Sequence, residues 1–260
     1  MITHLLLMGS LLSSPGSLEH EAVSDTLRLE VGSPEVDGRV FPVHRARNRV
    51  YLEDGSEPVV TWTNELTLGD SAGVPVMRWV TRGEPGPAAT GGHRWELLQT
   101  YNARTLAPMA YSNTSSSGAY MHLTIDGKQV RGVKRGPGGE AVEEPVHQTL
   151  DRLGFMASAS DLVPMAVGLR AGSVMIAPVW GPNMPAAEDR IFTVLSQETV
   201  TVEGAEVVAW KVEERVADTG SLYATWWLTE ESPYMVLAEV LQSNGQVRRI
   251  TGVALDGGDP

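Results

Sequence analysis

The sequence contains no cysteine among its 260 residues. This absence excludes disulfide bridges, thiolate metal sites, a cysteine nucleophile and lipid attachment through an N-terminal cysteine. A basic excess is also missing, since 20 Lys and Arg stand against 32 Asp and Glu and give a formal net charge of −12. General binding of nucleic acid is therefore disfavoured, because it usually requires a basic surface.

Long hydrophobic runs are absent as well. No stretch approaches the ~20 apolar residues of a membrane-spanning helix, so we expect no transmembrane segment. The short apolar run Leu5–Leu12 is followed by the Ser-, Pro- and Gly-rich residues 13–17, an order typical of a secretory signal peptide. We therefore expect residues 1–22 to be a signal or disordered segment and the protein to be periplasmic or otherwise extracytoplasmic. Residues 23–256 are predicted to form a single antiparallel β domain, with residues 257–260 as a tail.

Sequence signatures of catalysis are absent too. The sequence has neither a His-Glu-x-x-His metal motif nor a Gly-x-Ser-x-Gly nucleophile elbow. The adjacent carboxylates Glu213 and Glu214 point to opposite sides of a predicted strand, so we interpret them as solvated charge. The basic residues between Lys128 and Arg135 are interpreted as a solvated hairpin tip. We expect no enzyme, no metal site and no cofactor.

What the sequence does contain is a run of strands in its last quarter. Alternation predicts strands at 206–215, 221–228, 234–241 and 246–253, called the closing strands. In the first of them Val208, Trp210 and Val212 share one face. The dipeptide Asn244-Gly245 suits a tight turn, so the last two strands should form a hairpin.

Two of the closing strands are apolar on both faces. Trp226 and Leu228 lie on one side of their strand, and Trp227 lies on the other. A strand of this kind is covered on both faces. A helix, a second sheet or a bound apolar ligand must therefore lie over the second face.

Earlier residues add more strands and the covering elements. A hairpin is predicted at Asp126-Gly127. Residues 145–170 have helical spacing and predict two short helices. The predicted fold is mainly β: a curved antiparallel sheet, either a half-barrel or an open barrel, with one or two short helices covering one face.

Four segments resemble an exported bacterial β-domain family of unknown function, which is similar in shape to the periplasmic lipoprotein-carrier half-barrels. The segments are Tyr101–Pro108, Asp161–Gly168, Val200–Val212 and Thr225–Leu228, and the resemblance covers roughly residues 60 to 255. It implies a curved sheet closed by helices in the cell envelope. Carriers of this shape hold acyl chains on the concave face, and the family supplies no catalytic residues.

The favoured hypothesis is a non-enzymatic envelope domain that binds an apolar or amphipathic ligand, a lipid or lipoprotein, on the concave face of its sheet. The candidate lining residues are Tyr223, Trp227, Met235 and Leu237. A further partner would be another envelope protein. Two alternatives remain open: a structural or assembly protein that acts through surface contacts without a ligand, and an unrecognised hydrolase.

Overall fold

The computed structural model describes residues 26–53, 55–138 and 141–255. The predicted signal or disordered segment 1–22 and the tail 257–260 lie outside the described residues. Within the described part, the chain forms sixteen strands and very little helix. The strands of the first half are β1 (Thr26–Arg28), β2 (His44–Leu52), β3 (Val60–Ser71), β4 (Val74–Pro85), β5 (Trp95–Asn102), β6 (Pro108–Ser115), β7 (Tyr120–Asp126) and β8 (Gln129–Arg135). The strands of the second half are β9 (Glu143–Thr149), β10 (Phe155–Met156), β11 (Val174–Trp180), β12 (Glu188–Val202), β13 (Ala205–Val216), β14 (Leu222–Leu228), β15 (Met235–Leu241) and β16 (Val247–Ala254).

All of these strands belong to one sheet. Its order is β1-β11-β12-β13-β14-β15-β16-β2-β3-β4-β5-β6-β7-β8-β9, and β10 also pairs with β11. The first and last long strands, β2 and β16, pair antiparallel near the middle of this order. Only β1 and β10 pair in parallel, both with β11, among the described strands. The prediction of an open, mainly β and antiparallel sheet is confirmed.

The helical prediction is correct only in its second half. One α-helix, α1 (Leu162–Val167), is preceded by a 3-10 turn at Ala157–Ala159. The first predicted helix is wrong, because residues 143–149 form β9. Here Val146 and Gln148 lie on one face of the strand, opposite Gly132 and Val130 of β8. The two-residue repeat of a strand therefore describes this segment better than the three-residue spacing of Leu150 and Leu153, which predicted a helix.

The register of the closing strands assigns their side chains to two faces. Trp226 lies opposite Ala238, and Trp227 lies opposite Leu237. The face with Trp226 is the inner face of the sheet, which packs on the main core, whereas Trp227 and Leu237 belong to a second, smaller cluster. Both faces of β14 are buried from Ala224 onward, as its two apolar faces predict.

The inner face is covered by α1 and by the segments around it. Helix α1 buries five of its six residues, and the backbone N–H of Asp37 donates to the carbonyl of Ala166 at 3.0 Å. Gly168, with a φ of 104°, ends the helix, because its missing Cβ makes this backbone conformation accessible. The largest fully buried side chains of this core include Phe41, Phe155, Trp180, Phe192 and Tyr234.

The outer face is covered by the chain itself. The long hairpin of β12 and β13 has a register shift between Val194 and Ser196 and approaches β15 and β16. At its tip Glu203 makes ion pairs with Arg49 at 2.6 Å and Arg47 at 3.7 Å. We call the apolar residues packed between the hairpin and the outer face the outer cluster. Its buried members are Val202, Ala209, Trp227, Val236 and Leu237.

One buried histidine makes the core sensitive to acid. His44 packs edge-on against Tyr234 and Trp79, with ring centroids 4.4 and 5.5 Å apart. Neither ring nitrogen makes a hydrogen bond of ordinary geometry to a described residue. Burial lowers the pKa of His44 to about 4, and the nearby Pro42 backbone opposes this only weakly. The fold therefore favours the neutral ring.

We expect this preference to reduce stability as the pH falls from about 6.5, where a free histidine titrates, towards 4. The contribution is fully present above 6.5 and amounts to at most about 3 kcal/mol. Urea unfolding of the protein and of His44→Leu at pH 7.5 and 4.5 measures this contribution. The difference in unfolding free energy between the two proteins at each pH cancels the titration of the other groups. The penalty of the substitution should shrink at pH 4.5, and an equal penalty at both values would contradict a neutral buried ring.

Candidate functional site

The core leaves a cavity on the inner face of the sheet. Its volume is about 290 Å³, and ten of its lining residues are aromatic or otherwise apolar. Those residues are Trp62, Trp79, Trp95, Leu97, Ala157, Tyr223, Trp226, Met235, Val240 and Ile250; the others are Asn64, Thr81, Ser158 and Asp161. We call this the inner cavity. A mainly apolar lining with a few polar groups is typical of ligand pockets.

Four tryptophans dominate the inner cavity. Trp62, Trp79 and Trp95 lie on the adjacent strands β3, β4 and β5, and Trp226 comes from β14. The rings of Trp62 and Trp95 are 6.4 Å apart and tilted by 51°. Between them in the register lies Gly83, where a Cβ would lie only 2.3 Å from the Trp95 indole. The glycine thus lets the indole lie against the backbone of β4.

The segment 157–161 closes one side of the inner cavity and is bonded to the sheet at two points. Gln99 of β5 is buried, and its Nε2 donates to Ser158 Oγ at 2.6 Å. On the other side, Ser160 Oγ donates to Glu214 Oε2 of β13 at 3.0 Å. These two bonds hold the segment, including Asp161, across the inner face.

A buried ionic group lies next to this segment. Glu214 is fully buried, and its carboxylate accepts hydrogen bonds from Ser160 Oγ at 3.0 Å, Trp226 Nε1 at 3.0 Å and Arg190 Nη1 at 3.2 Å. The Arg190 guanidinium lies 4.2 Å above the Tyr223 ring and also donates to Glu188. Burial raises the pKa of Glu214 to about 7, against the opposing effect of Arg190.

Asp161 has a different environment. It lines the inner cavity, and no described basic side chain forms an ion pair with it. Burial raises the pKa of its carboxyl to about 6, and the nearby backbone of Asp161 and Leu162 opposes this only in part. The titratable groups that its charge affects are acids, Glu214, Tyr223 and Tyr101. Asp161 is therefore a charge without a counter-ion in the described part of the chain.

An open groove adjoins the inner cavity. It has a volume of about 610 Å³, and Trp62 and Trp95 line both the groove and the cavity. Its other lining is polar and includes Arg82 and Arg94, which pair with the neighbouring carboxylates Glu65, Glu96 and Glu84. The groove therefore offers polar contacts to whatever part of a ligand extends from the cavity.

The structure separates the four residues predicted from the sequence. Tyr223 and Met235 line the inner cavity. Trp227 and Leu237 lie in the outer cluster on the opposite face, and Trp227 Nε1 donates to Glu198 at 2.5 Å. A ligand contact by all four remains a prediction, and the inner cavity brings together only the first two. Sequence reasoning missed Trp62, Trp79 and Trp95, whose strands are distant from β14 along the chain.

The charged residues interpreted from the sequence have mixed environments. Glu213 pairs with Arg215 at 2.8 Å and is partly exposed, as expected of surface charge. Glu214 is not solvated, because the inner face to which it points is closed by α1 and the preceding turn. In the basic segment, Lys134 pairs with Glu144 at 3.2 Å, and Lys128 donates to the carbonyl of Asp151 at 2.5 Å.

One histidine contacts a serine, as in the catalytic pair of serine hydrolases. Ser112 Oγ and His122 Nδ1 are 2.8 Å apart on β6 and β7. The pair is exposed, no described carboxylate bonds to the ring, and none of the cavities described above includes it. In the described residues no three His, Cys, Asp or Glu side chains are grouped as metal ligands. Nor does that part of the chain contain a helix long and apolar enough to cross a membrane.

Neither a family model nor a curated protein matches this sequence. Solved structures do show similarity. A β-barrel-like protein of the domain of unknown function DUF1849 from Brucella abortus has a TM-score of 0.48 at 9% identity, over 82% of this chain and 98% of that one. A DUF1089 family protein from Pseudomonas aeruginosa has a TM-score of 0.29 at 12% identity, over 90% and 95%. The hypothetical lipoprotein YmcC from Escherichia coli has a TM-score of 0.31 at 10% identity, over 84% and 87%.

The descriptions of these neighbours are of the same kind as the family that the four segments resemble. One is barrel-like and of unknown function, and another is a hypothetical lipoprotein. Because all three TM-scores lie below 0.5, they carry no argument about what this chain binds.

Proposed function

We propose that this protein is a non-enzymatic domain of the cell envelope that takes up an apolar or amphipathic ligand in its inner cavity. The observation that carries this proposal is the cavity of about 290 Å³ lined by four tryptophans. Aromatic and aliphatic surface gains free energy when it is removed from water. A cavity with this lining therefore favours apolar groups over water.

The size of the inner cavity suits one part of a ligand rather than a whole lipid. Its volume is at the lower end of the roughly 300–1,000 Å³ of pockets that hold drug-sized molecules. The rest of the ligand would extend past Trp62 and Trp95 into the polar groove. This division favours an amphipathic molecule or the modified end of a lipoprotein.

Two further parts of the proposal have separate support. An envelope location is supported by the apolar run Leu5–Leu12 and the Ser-rich residues after it. A non-enzymatic role is supported by the chemistry of the described cavity lining, which holds no histidine and no hydroxyl bonded to a base. Ser158, the one serine there, accepts from Gln99.

Filling the inner cavity should abolish uptake of an apolar probe. Val240 lines the cavity, and the next residue, Leu241, points to the outer face. We expect N-phenyl-1-naphthylamine, a neutral dye that fluoresces in apolar sites, to bind the protein. Val240→Phe should weaken this binding by roughly tenfold or more, equivalent to about 1.4 kcal/mol, because the new ring occupies the ligand volume. A fluorescence titration measures the effect.

Leu241→Phe is the matched control, since it adds a ring to the same strand on the other face. It should bind the dye like the unmodified protein. Equal losses in both variants, or no loss in Val240→Phe, would count against the inner cavity as the site. Mass spectrometry of a solvent extract of detergent-free protein then identifies the bound ligand, whereas an assembly protein would yield none in stoichiometric amount.

A further inference from the structure

The inner cavity has a charge imbalance that an apolar ligand alone would leave uncorrected. Asp161 is the one charged residue among the described cavity lining. Arg190, the basic residue beside Glu214, is already bonded to Glu214 and Glu188. Asp161 is half-buried, and a carboxylate partly removed from water favours a counter-charge or a proton. The described chain supplies no counter-charge for Asp161.

The aromatic lining is suited to the same kind of charge. The face of a tryptophan attracts cations through the quadrupole of its ring, and groups of such rings bind quaternary ammonium ions. The cation–π contacts of the described chain are Arg190 over Tyr223 and Lys211 over Trp227. None involves the four tryptophans of the inner cavity. Their faces are therefore left for a cation that the protein does not provide.

From these two observations we propose that the ligand carries an alkylammonium group, primary or quaternary, held between the cavity tryptophans and the Asp161 carboxylate. This inference rests on the proposed function and deepens it by naming the ligand class, an amphipathic cation. The ammonium group occupies the inner cavity, and its polar substituent extends past Trp62 and Trp95 into the groove. A ligand with an anionic end inside the cavity is disfavoured, because it would meet Asp161.

Choline and its neutral isostere 3,3-dimethylbutan-1-ol test this inference directly. The two molecules have nearly the same shape, but a carbon replaces the charged nitrogen in the second. Isothermal titration calorimetry at pH 8, where Asp161 is ionised, should give binding of choline that is roughly tenfold or more tighter than that of the isostere. Ethanolamine in a parallel titration distinguishes a primary from a quaternary ammonium ligand. Equal affinity for choline and the isostere, together with no binding of ethanolamine, would overturn the inference.

Two variants separate a role in recognition from a role in the fold. Asp161→Asn keeps the shape and the acceptor oxygen, and it should remove the preference for choline. Asp218→Asn changes the net charge by the same amount at an exposed turn and should keep the preference. Trp62→Leu removes one half-buried ring and should weaken choline binding while circular dichroism shows a folded protein. Unchanged selectivity in Asp161→Asn would also overturn the inference.

The neutral dye distinguishes failure of this inference from failure of the proposed function. If N-phenyl-1-naphthylamine binds and Val240→Phe abolishes its binding, while choline has no advantage, only the ammonium class is wrong. If neither the dye nor choline binds, the proposed function is wrong as well.

Discussion

Replacing Arg190 with leucine should lower the free energy of unfolding by about 3–5 kcal/mol at pH 8, the range found when one partner of a buried ion pair is removed. Only 7% of the Arg190 side chain and none of Glu214 is exposed. The substitution leaves the Glu214 carboxylate in the core with Ser160 and Trp226 as donors and without a positive charge. Urea denaturation of both proteins measures the difference.

The loss should depend on pH in a defined direction. Burial already raises the pKa of Glu214 to about 7 in the presence of Arg190, and removal of the cation raises it further. A raised pKa means that the fold favours the protonated acid, so the stability it contributes is present at low pH and lost as the pH rises through that value. The penalty of Arg190→Leu should therefore be smaller at pH 5 than at pH 8.

Two further variants identify the cause. Arg190→Leu combined with Glu214→Gln removes the uncompensated charge and should recover much of the stability at pH 8. Arg152→Leu removes a partly exposed pair, Arg152 with Asp189 at 2.8 Å, and should cost about 0–1 kcal/mol, as surface pairs do. Equal costs for Arg190→Leu and Arg152→Leu, or a penalty independent of pH, would contradict a buried charge pair.

Glu214 also shows where the sequence was informative and was misinterpreted. The statement that adjacent residues on a strand point apart is correct for Glu213 and Glu214. The same alternation places Glu214 on the apolar face that Trp210 and Val212 form. A carboxylate at an inward-facing position predicts a buried group that is bonded to a partner. Its partner, Arg190, was not identifiable, because the pair spans 24 residues and depends on the register of β12 and β13.

The closing strands were predictable because their determinants are local. Period-two alternation and the turn residues Asn244-Gly245 and Asp126-Gly127 specify the hairpins that the structure contains. Both glycines have positive φ, 83° and 54°, which these turns require. A mainly β fold follows from local signals of this kind, repeated along the chain.

The covering of the outer face was not predictable in the same way. Residues 200–209 have an ordinary strand pattern, and nothing local indicates that their hairpin approaches β15 and β16. Its tip is held by Glu203 and Arg49, which are 154 residues apart. The sequence therefore indicated two buried faces correctly, but it did not indicate that this hairpin would cover Trp227 and Leu237.

The inner cavity required the same long-range information. Trp226 is separated from the other three cavity tryptophans by more than half of the chain. The sheet brings the four rings together around one cavity. Asp161, in the segment that crosses the inner face, had no local feature that distinguished it from a helix-capping residue. Its functional significance comes from its surroundings in the fold, because no described basic side chain lies close enough to form an ion pair with it.

Trp226→Ala should be the most destabilising truncation among the closing strands, with a loss of about 3–5 kcal/mol, as for other large aromatic residues in cores. Trp226 packs in the main core on the inner face. Its Nε1 also donates to Glu214, a carboxylate without access to water. The substitution therefore removes packing and leaves a buried charge with one donor fewer. Chemical denaturation gives the change in the free energy of unfolding.

Trp227→Ala is the comparison that the structure provides on the next residue. Trp227 is as well buried as Trp226, but it lies in the smaller outer cluster and bonds to Glu198, whose side chain is 37% exposed. Water can replace the indole at an exposed carboxylate, so the loss should be smaller, about 3 kcal/mol, the lower end of the range for large aromatic truncations. Binding of N-phenyl-1-naphthylamine should be unchanged, because Trp227 is on the face opposite the inner cavity. A larger loss of stability than in Trp226→Ala would contradict the assignment of the main core to the inner face, and a loss of dye binding in the folded variant would return Trp227 to the ligand site.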